Sequence, residues 1–355
     1  MHEHDLQFRA MGCAVRVLAG PPSEGSIDPS GEESTARVRQ FIDSFDAKLT
    51  RFNPSSELCH LNASPLDDVD VSPLLESLVS AAIWAANESG GLIDPTLVGE
   101  LESVGYAHTL SGVTPASLAD ALAAAPRRRP AQPRGSAAPA NSSGSQTSTG
   151  PDGSEDLHAL SHLTSTPAWR QIKVSPGRVS RPPRVRVDSG GVGKGLAADA
   201  AAQLLADRSR FCVSAGGDMR IGGPDAAANP YPVPIDNPFG GEPLTTLKVG
   251  SGAVATSGIG SRIWQNTDGS FAHHLLDPST GKPAWTGLIQ VTAAAPTALE
   301  AETIAKRVLL GGPKAVGLLE HHGGVTLTDD RTVELFGKFA KAALSRGLPT
   351  VDVSA

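Results

Sequence analysis

Apolar positions recur along this chain with two periods. From Leu6 to Leu18 they alternate loosely with polar residues, which predicts a first strand broken at Met11-Gly12. Val38, Phe41, Ile42, Phe45 and Leu49 then fall at helical spacing, so residues 33–50 are expected to form an amphipathic helix. A second helix should open at Ser72-Pro73, an N-cap followed by Pro at the first helical position. It carries Leu74, Leu75, Leu78, Ala82 and Ile83 and stops at Gly90-Gly91. Val185 and Val187 alternate with Arg184 and Arg186, predicting a short strand that ends at Asp188. The run SGGVGKG turns the chain into a helix, LAADAAAQLLADR, and a strand over Phe211–Ser214 leads into AGGD. Residues 244–257 read as strands and residues 298–310 as a helix. The regular βαβ rhythm of a doubly wound fold is missing. The expected class is α+β, a mixed, largely antiparallel sheet with packed helices.

Between residues 126 and 155 the periodicity stops. PRRRPAQPRGSAAPANSSGSQTSTGPDGSE is almost all Pro, Gly, Ser, Ala, Thr and Gln. Such a stretch buries too little apolar surface to offset the entropy of ordering it. Residues 126–155 are therefore expected to be a disordered insertion that divides one domain into residues 1–125 and 156–355. Arg127-Arg128-Arg129, inside it, reads as a solvated charge run.

Composition narrows this further. Aromatic residues make up 4% of the chain against 39% hydrophobic residues, so the core must pack on Ala, Val and Leu. The net charge of −7 over 355 residues argues against general nucleic-acid binding, which needs clustered Lys and Arg. Cys13, Cys59 and Cys212 are too scattered for a zinc cluster or a disulfide framework. No stretch approaches the roughly 18 apolar residues of a membrane helix. The first residues lack a basic region followed by an apolar run. A soluble, cytoplasmic protein is the expectation.

Candidate chemistry centres on Asp188-Ser-Gly-Gly-Val-Gly-Lys194-Gly195. A glycine-rich turn opening a helix exposes N–H groups and a helix N-terminus, which favour an anion. A P-loop would need Gly in place of Asp188 and Ser or Thr in place of Gly195, and GxGxxG does not fit the spacing. Alone, the turn is equally well explained as a tight turn with a helix cap. Further clusters are Gly91-Leu-Ile-Asp94-Pro-Thr96, Ala215-Gly-Gly-Asp218, Ala255-Thr-Ser-Gly258 and His274-Leu-Leu-Asp277-Pro-Ser-Thr-Gly281. Each alone is ordinary turn chemistry.

In this order and spacing, together with Met11-Gly12, Thr50–Asn62 and Ala301–Lys306, these clusters resemble the ApbE flavin transferase family over most of the chain outside the insertion. The resemblance implies an ApbE-like, T-fold-like architecture and an FAD:protein FMN transferase. Such an enzyme attaches FMN from FAD through a phosphoester to a Ser or Thr of an acceptor flavoprotein and releases AMP. It also implies that Met11, Phe52, Leu92, Ile93, Asp94, Asp188, Lys194 and the backbone near Leu276 contact FAD. Mg²⁺ would be held by a carbonyl near Gly191 and by Glu302, and His274 would be the base. His273 stands beside it, and one of this pair is expected to be only a surface residue. Where the family has Thr four residues after its acidic ligand, and often Asp just before that, this chain has Lys306 and Ala305. Glu302 and Lys306, spaced i and i+4, are also readable as an exposed helical ion pair. Two other functions fit the same motifs: an FAD pyrophosphatase, in which water replaces the hydroxyl, and a non-catalytic module that binds or delivers FAD.

Overall fold

A computed structural model describes residues 3–24, 30–110, 112–136 and 166–344. Its centre is an eight-stranded sheet whose strands lie side by side in chain order, every neighbouring pair antiparallel. The strands are β1 (His4–Ala10), β2 (Cys13–Ala19), β3 (Phe211–Ala215), β4 (Asp218–Gly222), β5 (Gly252–Gly258), β6 (Leu288–Ala295), β7 (Gly324–Thr328) and β8 (Val333–Phe336). Met11-Gly12 joins β1 to β2 and Gly216-Gly217 joins β3 to β4, all four residues at positive φ. Two-residue turns of this hand match the twist of the strands they connect. The two turns lie together: Gly216 donates its N–H to Ala14 O, and a Cβ on Gly216 would stand 2.8 Å from Cys13 Cβ.

Four longer helices pack on this frame: α1 (Gly31–Leu49), α2 (Pro73–Glu88), α3 (Gly193–Gln203) and α4 (Ala298–Gly311). Local sequence sets their ends. Ser30 with Glu33 and Thr297 with Glu300 form capping boxes at α1 and α4, and Ser72 caps α2 ahead of Pro73. Along β5, Ala253 and Ala255 join a buried cluster with Val38, Ile42, Ala198, Ala201 and Ala301, whereas Val254 joins another containing Val233, Leu247 and Val291. Alternation thus supplies the two faces of the sheet, and small side chains let the helices sit close. At Gly195 two helices meet closely: a Cβ there would lie 2.6 Å from Ala298 O. Asp199 of α3 accepts the N–H groups of Ala298 and Leu299 at 2.8 and 2.9 Å, tying α4 to α3.

The expected α+β class with a largely antiparallel sheet holds, and residues 244–257 are strands as expected: Thr245–Val249, which pairs with Tyr231–Ile235 outside the main sheet, and β5. Two expectations change. Val185–Asp188 joins no sheet, because its partners are not strands: Asn62 exchanges both side-chain hydrogen bonds with Val187, and Asp188 N donates to Pro95 O. The expected disorder from residue 126 is corrected over residues 126–136, which are held against the rest of the fold by specific contacts. Ala131 is buried and donates its N–H to Leu310 O, Arg129 N donates to Trp285 O, and Arg128 pairs with Asp329 at 2.5 Å. Arg128 is thus an anchored residue, and Arg129 remains exposed at its tip beside Asp277. Residues 137–155 of the expected insertion lie outside the described residues. No helix among the described residues is long and apolar enough to cross a membrane.

Candidate active site

A cleft of about 680 Å³ opens where the Met11-Gly12 turn, the C-terminal part of α1, the glycine turn before α3 and the His274–Leu276 segment meet. That volume lies in the range of cofactor-sized pockets. Met11, Phe52, Leu92, Ile93, Asp94, Asp188, Gly191, Lys194, His274 and Leu276 all line it. Glu302, the remaining expected site residue, lies directly behind the wall.

Each wall has a local cause. Met11 has φ of 51°, a left-handed conformation that a non-glycine residue adopts at a cost, and Asp46 Oδ2 fixes it by accepting the Met11 N–H at 2.6 Å. Asp188 is fixed by the Pro95 carbonyl through its N–H and by Arg51, whose Nε lies 3.2 Å from Asp188 Oδ1. The Arg51 guanidinium also lies over Phe52 at 4.2 Å and Tyr106 at 4.6 Å, with Trp264 beyond Tyr106 at 5.7 Å. One side of the cleft is therefore aromatic. Asp94 Oδ1 accepts from Thr96 N and Oγ1, whereas Oδ2 is buried with no partner. Burial pushes the Asp94 carboxyl above the usual carboxylate range.

Part of the lining is cationic. Lys194, Arg262 and Lys306 line the cleft, and His274 stands near Arg262 and Lys306 with Nδ1 buried and unpaired. Burial first, and Arg262 second, hold the His274 imidazole well below its ordinary value, so it is neutral near pH 7. Neither histidine of the pair is an exposed surface residue, contrary to expectation: His273 is fully buried, edge-on to Trp285 at 4.7 Å, and burial pulls it down to about 3.

Glu302 is also fully buried, which overturns its reading as half of an exposed pair with Lys306. Its Oε1 lies 2.6 Å from Lys306 Nζ and 3.9 Å from Lys194 Nζ, and its Oε2 accepts from Gly195 N at 2.8 Å. Burial would push the Glu302 carboxyl up, but Lys306 and Lys194 overcome it and hold it below its ordinary value. Lys194 bonds to Asp218 Oδ2, and the Asp218 and Glu302 carboxylates raise the Lys194 ammonium against the pull of burial. These residues do not fit the expected divalent ion. Both Glu302 oxygens are engaged, two ammonium groups stand beside them, and no group of three or more His, Cys, Asp or Glu among the described residues is placed to hold a metal.

A match to the ApbE family runs from residue 11 to residue 327. The chain belongs to the ApbE family. An FAD:protein FMN transferase of Escherichia coli (strain K12) is 35% identical over 136 residues, 37% of this chain and 38% of that protein. The matched region thus spans about two fifths of that relative's length. An FAD:protein FMN transferase of Haemophilus influenzae is 22% identical over 330 residues, covering 89% of this chain and 83% of that one. The ApbE protein of Thermotoga maritima, a crystal structure, superposes with a TM-score of 0.72 at 23% identity, covering 96% of this chain and 99% of that one. It shares the α+β fold.

Two residues of this ApbE cleft, Tyr106 and Arg262, belong to none of the sequence clusters, and Arg51 lies within the Thr50–Asn62 stretch with no role assigned from sequence. For Lys306 the signal was present: it sits one helical turn after Glu302, on the same face of α4.

Proposed function

We propose that this chain is an FAD:protein FMN transferase, which moves FMN from FAD to a Ser or Thr hydroxyl of an acceptor flavoprotein and releases AMP. The observation that carries the reading is a cleft with an aromatic wall at Phe52 and Tyr106, a cationic wall at Lys194, Arg262 and Lys306, and a neutral histidine among the cations. Aromatic faces suit the flat rings of FAD, and the cations with the glycine-turn N–H groups suit its pyrophosphate. Met11, Leu92, Ile93, Asp94, Asp188 and Leu276 complete the proposed FAD contacts.

In the reaction the acceptor hydroxyl oxygen attacks the FMN phosphorus. The bond from that phosphorus to the bridging oxygen breaks, and AMP leaves with the electron pair. The hydroxyl proton passes to the His274 imidazole, which is unprotonated near pH 7 and can therefore accept it. The bound pyrophosphate adds negative charge beside the ring and offsets the depression that burial causes. Mg²⁺, which the family resemblance implies, is assigned no step, because the Glu302 surroundings do not fit it.

The test is to incubate the protein with FAD and a candidate acceptor and to weigh both proteins by mass spectrometry. The acceptor should gain the mass of one FMN and free AMP should appear in equal amount. FMN release into solution without acceptor labelling would identify a pyrophosphatase. Intact FAD bound without turnover would identify a flavin-delivery module.

A further inference from the structure

Behind the cationic wall, four ionisable side chains meet: Lys194, Asp218, Glu302 and Lys306. Both carboxylates are fully buried, and only the two lysines reach the cleft. The set contains two positive and two negative groups, paired as Lys194 with Asp218 and Lys306 with Glu302. Charges this deep are held only by close partners, and each ammonium has three donors, more than its carboxylate needs. Gly195 fixes Glu302 from one side, and helical spacing on α4 aims Lys306 at the same place from the other.

We propose that the Lys306 ammonium supplies the positive charge on the FAD pyrophosphate that a bound divalent cation would otherwise supply, so that FMN transfer by this chain needs no metal. The proposal rests on the cleft being an FAD site. Lys306 Nζ keeps its bond to Glu302 Oε1 and directs its remaining N–H groups at the phosphate oxygens. As the phosphorus–oxygen bond to the leaving AMP breaks, the growing charge on that oxygen is met by this ammonium and by Lys194. No proton need leave Lys306, since the acceptor's proton goes to His274. A divalent ion at Glu302 would have to displace Lys306 from its buried position and would be repelled by Lys194 as well.

The experiment uses the full chain. FAD binding is measured by equilibrium dialysis, bound Mn²⁺ by electron paramagnetic resonance with and without FAD, and FAD turnover in EDTA against turnover in Mg²⁺. The unmodified protein should bind FAD, take up no stoichiometric Mn²⁺ at millimolar metal, and turn over equally in EDTA and in Mg²⁺. Lys306→Thr should lose turnover in EDTA on the order of 10²-fold, bind one Mn²⁺, and recover part of its rate in Mg²⁺. Lys306→Arg, which keeps a cation, should remain indifferent to EDTA at a reduced rate. FAD binding combined with one bound Mn²⁺ per unmodified chain, or with turnover abolished by EDTA, would overturn this proposal alone. Absence of FAD binding would overturn the reading of the cleft and this proposal with it. The measurements on unmodified protein stand even if Lys306→Thr does not fold.

Discussion

Alternation at the end of the Phe271–His273 strand sends two adjacent histidines into different surroundings. His273 goes into the core against Trp285, where its Nδ1 accepts the Leu275 N–H at 3.3 Å. His274 goes to the cleft beside Arg262 and Lys306. Their substitutions should therefore fail in different ways. His274→Ala should fold and bind FAD while losing transfer by roughly 10²–10⁴-fold, the usual contribution of a positioned base. His273→Ala should instead cost roughly 2–5 kcal/mol of stability, as emptying a comparable buried volume does. Transfer rates, FAD dialysis and urea unfolding on both variants check this. A His274→Ala protein that transfers FMN at the unmodified rate would remove His274 from the chemistry. The pair His273-His274 was legible as a candidate base and its neighbour, but which environment each occupies depends on strand register, which a single sequence leaves open.

Among the elements, the capped helices were the most legible. Ser30, Ser72 and Thr297 supply their own N-terminal partners, so the signal lies within a few residues of the boundary. Residues 126–136 were illegible for the opposite reason. They have no apolar period, and their order comes from groups far away in sequence: Leu310 O, Trp285 O, Asp329 and above all Asp277. Asp277 is a buried hub. Its Oδ1 accepts Gln132 N at 3.0 Å, Ser279 N at 3.0 Å and Ser279 Oγ at 2.8 Å, and Arg129 approaches its Oδ2. It therefore ties residues 126–136 to the turn that presents His274 and Leu276. Asp277→Ala leaves those donors without an acceptor and should cost about 2–4 kcal/mol. Asp277→Asn keeps Oδ1 as an acceptor and loses only an exposed charge contact, so its cost should be less than half as large. Thermal unfolding of the two variants decides the matter: equal losses would mean that the charge, rather than the Oδ1 hydrogen bonds, holds the turn.

At the scale of the molecule, the sequence's alternating runs announced strands, but not that β2, ending at Ala19, would pair with β3, beginning at Phe211. Alternation says that a strand has an inner face without naming its partner, so the sheet class was legible and its strand order was not. The same assembly buries titratable groups whose cost appears only as a pH dependence of the whole fold. His273 is the clearest, because burial lowers it from 6.5 to about 3. Between those values the unfolded chain binds a proton that the folded chain refuses. Stability is therefore complete above about pH 6.5 and falls as the pH drops toward 3, by roughly 1.4 kcal/mol per pH unit for this one group. His274 acts in the same direction. Asp94, Asp199 and Asp218, raised by burial, act in the opposite one. The total slope thus mixes several groups, but a difference between two proteins isolates one of them. His273→Phe keeps a ring against Trp285 and removes the titrating nitrogen, while every other group stays in place. Its offset in stability, from the lost Leu275 hydrogen bond, does not depend on pH. Urea midpoints measured from pH 7 to pH 4 should therefore fall less steeply for His273→Phe, by roughly 1.4 kcal/mol per unit in the middle of that range. Parallel curves would mean that His273 takes up its proton in the folded state, and that the buried pocket against Trp285 opens to water before the rest of the sheet unfolds.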